Sequence, residues 1–122
     1  MSASDITSSE DINELVARFY RKLVIDPVIG HFFAGLDLEH HLPRIAAFWE
    51  MVLLDKPGYA TNVTEVHLKL NQRIPMERAH FDRWLELFRG AVDERYAGAN
   101  AEEAKLRALS VATVMLIKVQ AG

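Results

Sequence analysis

Residues 10–24 read EDINELVARFYRKLV, and the spacing of the apolar letters in that stretch decides the class of fold. Ile12, Leu15, Val16, Phe19, Tyr20, Leu23 and Val24 recur at intervals of three and four. That period gathers them on one side of an α-helix, whereas a half-buried strand would alternate every second residue. Ser8 and Ser9 stand ahead as N-cap candidates, because a short hydroxyl can accept from the free amides of a first turn. Asp26-Pro27 closes the helix, since proline disfavours helical geometry in the residue before it, and Gly30 permits a change of direction. His31-Phe32-Phe33 then reads as a corner packed on the core.

The same period recurs outward from this helix. A second helix is expected over about His40 to Leu54, where Ile45, Phe48, Trp49 and Val52 form a stripe that begins at His41. Pro43 confines its start to a few residues upstream. Lys56-Pro57-Gly58 marks a loop, and Val63, Val66, His67 and Leu70 suggest a brief helix around Thr64 to Leu70. From Glu77 to Tyr96 a further helix sets Phe81, Trp84, Leu85, Phe88 and Val92 on one side, with Gly98 as its stop. Asn100 followed by Glu103 reads as a cap before a last helix whose Leu106, Leu109, Thr113, Leu116 and Ile117 are expected to face inward. No repeat and no strand alternation intervenes, so the class is all-α. Residues 10–122 are expected to form one domain behind a loose polar tail over residues 1–9.

Composition narrows the functional classes. A chain of 122 residues builds one core rather than two, and half of it is apolar. The net charge of −3, with basic residues scattered among acidic ones, offers nucleic acid no electrostatic footprint. Cysteine is absent, which removes disulfides, thiolate metal sites and thiol catalysis together, so any metal must be held by nitrogen or oxygen. The apolar run Val111 to Val119 includes Thr113 and Lys118 and is far shorter than the roughly 20 residues a membrane-spanning helix needs. Met1 to Ser9 lacks the basic start and apolar run of a secretory signal. A cytoplasmic monomer without nucleic-acid or membrane partners is the expectation. Neither the paired-histidine spacing of zinc hydrolases nor a glycine-rich phosphate loop is present.

Five histidines remain to be placed. His67, between Val66 and Leu68, reads on local grounds either as a partly buried structural histidine or as a metal ligand. His41 shares a helix face with Ile45 and Phe48, while His40 points roughly 100° away around the axis. The pair could equally be a solvated helix start. His31 at the corner and His80 at a helix start read as structural or exposed. Tyr20 and Trp84 join a polar hydrogen to an apolar body, and such groups find a hydrogen-bond partner when buried. They too could be no more than core.

Phe19-Tyr20 in the first helix, His41 eight residues before Trp49 in the Phe48-Trp49 pair, the isolated His67, and Trp84 within Phe81-Asp82-Arg83-Trp84-Leu85 together resemble a group III truncated haemoglobin. The resemblance spans nearly the whole chain after its first residues. The glycine pairs typical of the other truncated groups are missing. The resemblance implies a truncated globin, a two-over-two helical sandwich around haem b (iron protoporphyrin IX). His67 would be the proximal iron ligand, and Tyr20, His41 and Trp84 would surround the bound ligand on the distal side. An imidazole ligand leaves the opposite axial position of the iron open. Apolar walls are expected from Phe32, Phe33, Ile45, Phe48, Leu70, Phe81 and Phe88. Arg44, Lys69 and Arg73 are candidates to meet the haem propionates.

Three functions compete on this basis. The first is binding of dioxygen or another diatomic gas, for oxygen storage, sensing or transport, with donors in a dry pocket stabilising charge on the ligand. The second is a haem redox enzyme acting on peroxide or nitric oxide, which would draw electrons from an external reductase. The third is a haem-free helical interaction module in which the aromatics form only core.

Overall fold

The computed structural model describes residues 3–33, 35, 37–55 and 77–121, with 118–121 as backbone. Its helices are α1 (Ser9–Val24), a short 3-10 turn η1 (Gly30–Phe32), α2 (Leu38–Leu54), α3 (Arg78–Arg95) and α4 (Ala99–Ala121). α1 packs on α2 and on α3, α3 packs on α4, and α2 also meets α4. The helical runs expected from the sequence at 10–24, 40–54 and 77–96 are therefore present, while the brief helix expected around Thr64 to Leu70 lies outside the described residues.

Local chemistry explains each start. Ser8 caps α1 through a capping box: its hydroxyl accepts from the Asp11 amide at 3.2 Å, and the Asp11 carboxylate accepts from the Ser8 amide at 3.2 Å. α2 begins at Leu38, so Pro43 sits inside the helix and the carbonyl one turn upstream loses its usual amide partner. α2 ends on Asp55 in the left-handed region, φ 54°, a conformation that a short polar side chain tolerates better than most. α3 opens with a box built from an unusual partner: the Glu77 amide donates to Nδ1 of His80 at 2.8 Å, while the Glu77 side chain accepts from the His80 amide.

The core is aromatic where three helices meet. Phe88 of α3 is fully buried, edge-on to Phe19 of α1 at 5.1 Å between centroids and stacked on Trp49 of α2 at 5.0 Å. α1 turns Ile12, Leu15, Val16, Phe19, Tyr20 and Leu23 inward, the face expected from its spacing. α2 buries only Ala46 and Trp49 completely.

The inward face of α4 differs from expectation. Leu106 and Ile117 are about three-fifths exposed and Leu109 and Thr113 are exposed as well, whereas Ala101, Ala104, Ala108, Ala112 and Met115 are buried. Those five also recur at three-and-four spacing. The small side chains give close approach to neighbouring backbone, and the larger apolar residues that dominate a hydropathy reading are left outside.

The N-terminal segment, expected to be a loose tail, is docked. Ile6 is fully buried, and the Asp5 carboxylate accepts from the amides of Asn100 at 3.0 Å and Ala101 at 2.9 Å. The first turn of α4 is thus capped by a residue from the opposite end of the chain. Asn100, expected to be the cap, instead donates its side-chain amide to the Ile6 carbonyl at 2.7 Å. Gly98 permits the approach, since at φ 141° it has no side chain to collide with Asp5. A buried polar network ties α1 to α3: Arg18 donates to the Ala91 carbonyl at 2.6 Å and pairs with Glu14 at 2.7 Å. Tyr96 also donates to Glu14, and burial together with that carboxylate pushes its phenol up to about 12.

Candidate functional site

The site begins with two side chains delivered by different helices. Tyr20, near the end of α1, and His41, in the first turns of α2, meet with Oη and Nε2 3.0 Å apart. Neither is adjacent to the other in sequence, so their meeting is a product of how α2 crosses α1. Tyr20 is almost fully buried, and its ring stands edge-on to Phe19 at 5.5 Å, to His41 at 5.1 Å and to Phe33 at 6.1 Å. The phenol therefore reaches its polar partner from an aromatic surround.

Trp84 approaches the same region from α3. Its half-buried indole lies edge-on to Phe19 at 5.6 Å and stacks on Phe88 at 5.8 Å. Phe19 is thus the ring between Tyr20 and Trp84. The structure brings Tyr20 and His41 into direct hydrogen-bonding contact and sets Trp84 one ring away.

The other expected site residues divide by position. Phe33 touches Tyr20, as above, but Phe32 turns to the start of α3, its ring 4.8 Å from that of His80 and 4.2 Å from that of His31. Phe81 and Phe88 are buried in the core. Ile45 and Phe48 are half-buried on α2, with Phe48 edge-on to Trp49 at 5.2 Å, and Arg44 is exposed. His67, Lys69, Leu70 and Arg73 lie outside the described residues.

Haem is implied by the resemblance, and the residues present fit it. A flat apolar macrocycle needs a long apolar wall beside a small polar group near its centre. His41, Ile45, Phe48 and Val52 fall on one line along α2 by helical spacing, and all four are half-buried, in contrast to the closed face of Ala46 and Trp49. That line starts at the Tyr20–His41 pair.

Two residues escaped the sequence reading. Asp26 ends the α1 corner with its side chain 3% exposed, and its carboxylate accepts from the Val28 and Ile29 amides at 2.9 and 3.1 Å. Its other oxygen accepts from Nε and Nη2 of Arg83 at 3.0 and 2.6 Å. The Arg83 guanidinium holds the Asp26 carboxyl below the usual range despite burial. Asp26-Pro27 had signalled a helix end, but nothing in the local pattern signals an arginine arriving from residue 83.

Comparison with known proteins bears on the fold and the family. A family model described as bacterial-like globin matches residues 4–117. A group 1 truncated hemoglobin from Tetrahymena pyriformis is 32% identical over 72 residues, which is 58% of this chain and 56% of that protein. The chain thus matches little more than half the length of that relative. The crystal structure of a group III truncated hemoglobin from Campylobacter jejuni superposes with a TM-score of 0.83 at 24% identity, covering 97% of this chain and 95% of that one. The truncated-globin resemblance read from the sequence is borne out, with the fold-level match in group III and the residue-level match in group 1.

Proposed function

The chain belongs to the bacterial-like globin family, and from that membership we propose that it is a haem protein holding dioxygen, or another diatomic ligand, beside Tyr20, His41 and Trp84. When bound, haem b would supply an iron able to take such a ligand. His67 would hold the iron, and Arg44, Lys69 and Arg73 would meet the haem propionates.

The observation that carries this reading is the 3.0 Å contact between the Tyr20 hydroxyl and His41 Nε2 inside an aromatic surround. One proton lies between the two atoms, and the imidazole tautomer decides which of them donates. When His41 carries its proton on Nε2 it donates to the phenolic oxygen, and the Tyr20 hydroxyl can turn its own proton toward a ligand. When Tyr20 donates to Nε2, its proton is held by the histidine instead. The pair thus offers an adjustable donor beside aromatic rings, where a hydrogen bond to developing charge is stronger than in open water. Trp84 can add an indole N–H, which only donates.

Absorption spectra of the haem-loaded chain in ferric, ferrous and carbonyl forms, compared with His67→Ala, test the assignment. Loss or displacement of the wild-type bands in the variant is expected. Identical spectra would remove His67 as the ligand, and a purified chain that refuses haem would leave the helical interaction module as the account.

A further inference from the structure

Asp26 and Arg83 join the corner after α1 to the turn of α3 that carries Trp84. Asp26 lies six residues beyond Tyr20, and its carboxylate organises the Val28 and Ile29 amides that lead into η1 and on to Phe33, the ring against Tyr20. Arg83 immediately precedes Trp84. Successive helical residues project about 100° apart, so the ion pair and the Trp84–Phe19 contact grip the same turn of α3 at two points around its axis. Phe81, Leu85 and Phe88 of the same helix are buried in the core, and the ion pair adds a restraint at the turn that carries Trp84. The guanidinium places two N–H groups on one buried carboxylate oxygen, a fixed geometry that a point charge on a flexible stem does not reproduce as well. Arg83 also pairs with Glu86 on its own helix, which keeps the side chain over the corner.

We propose that Arg83 is a positioning residue: its ion pair with Asp26 fixes the turn of α3 that carries Trp84, and through it the direction of the Trp84 indole relative to Tyr20 and His41. The inference rests on the assignment of Trp84 as a ligand-side donor.

The test uses the haem-loaded full chain with Arg83→Met, Arg83→Lys, Trp84→Phe and the Arg83→Met/Trp84→Phe double variant. The readouts are the Trp84 indole N–H resonance in the carbonyl form, identified by its loss in Trp84→Phe, and the oxygen dissociation rate. Arg83→Met is expected to displace or broaden the resonance and to speed dissociation about five- to tenfold, the scale of one lost hydrogen bond. The double variant should release oxygen no faster than Trp84→Phe, and Arg83→Lys, which keeps the charge and loses the two-point geometry, should recover only part of both signals. Should Arg83→Met fail to fold, Asp26→Asn removes the charge while leaving a carbonyl oxygen for the Val28 and Ile29 amides. A lowered thermal midpoint with an unmoved resonance and wild-type dissociation would overturn the inference alone, as would rate effects that multiply in the double variant. Wild-type release from Trp84→Phe would instead overturn the donor role of Trp84 and the inference with it.

Discussion

Tyr20 and His41 are each unremarkable along the chain, one aromatic in an apolar stripe and one of two adjacent histidines, yet their side chains meet in a hydrogen bond. Replacing the phenol by Phe removes only the oxygen. Tyr20→Phe should therefore keep the helical content of the protein and raise the oxygen dissociation rate of the haem-loaded form about tenfold, as measured by stopped-flow displacement. An unchanged rate would remove Tyr20 from the ligand side. The residue types at 20, 41 and 84 were legible because each lies on a strongly periodic helix and belongs to a recognisable set. Phe32 was legible only as apolar, and its turn toward His80 depends on the conformation of η1.

At the scale of elements, α4 shows what hydropathy hides. An alanine face gives little signal in a sequence, because its contribution comes from the distance it allows between helices and less from the area it buries. Ala108→Leu should accordingly overpack the contact and cost about 1–3 kcal/mol. Leu106→Gln, on the exposed side, should change stability by less than about 0.5 kcal/mol. Urea unfolding of the two variants distinguishes this arrangement from the inward Leu106 that the spacing first suggested, since the order of the two effects would then reverse. The cap of α4 belongs to this scale as well. Asp5→Ala should lose about 1–2 kcal/mol in the same assay, and Asn100→Ala should not substitute for that loss by the same mechanism, because the Asn100 side chain serves the Ile6 carbonyl and not the helix amides.

At the scale of the molecule, among the described residues four carboxylates are held below their usual range by contacts that cross between elements or along a turn. Asp26 is lowered by Arg83, Glu14 by Arg18, and Glu94 by Lys22; at Asp5 burial pushes upward but is outweighed by the amides of Asn100, Ala101 and Ile6. In each case the folded pKa lies below the unfolded one, near 4. Below that value the unfolded chain binds more protons, so the stability these groups contribute is present above about pH 5 and drains away as pH falls through 4. The thermal midpoint should fall steeply between pH 5 and 3, and Glu14→Gln should lower it at pH 7 while flattening the acid slope. A variant with the wild-type slope would show that Glu14 does not contribute to the acid transition.

The sequence by itself determined the class of fold, the main helical spans and the family, because periodicity and helix-ending residues act within a few positions of one another and survive without tertiary context. Only the tertiary structure decided which side chains meet: Tyr20 with His41, Arg83 with Asp26, Asp5 with the start of α4, and alanines instead of leucines at the α4 interface. Those pairings join residues far apart in the chain. Their partners are set by the relative placement of whole helices, which depends on the packing of every side chain between them and on no local pattern.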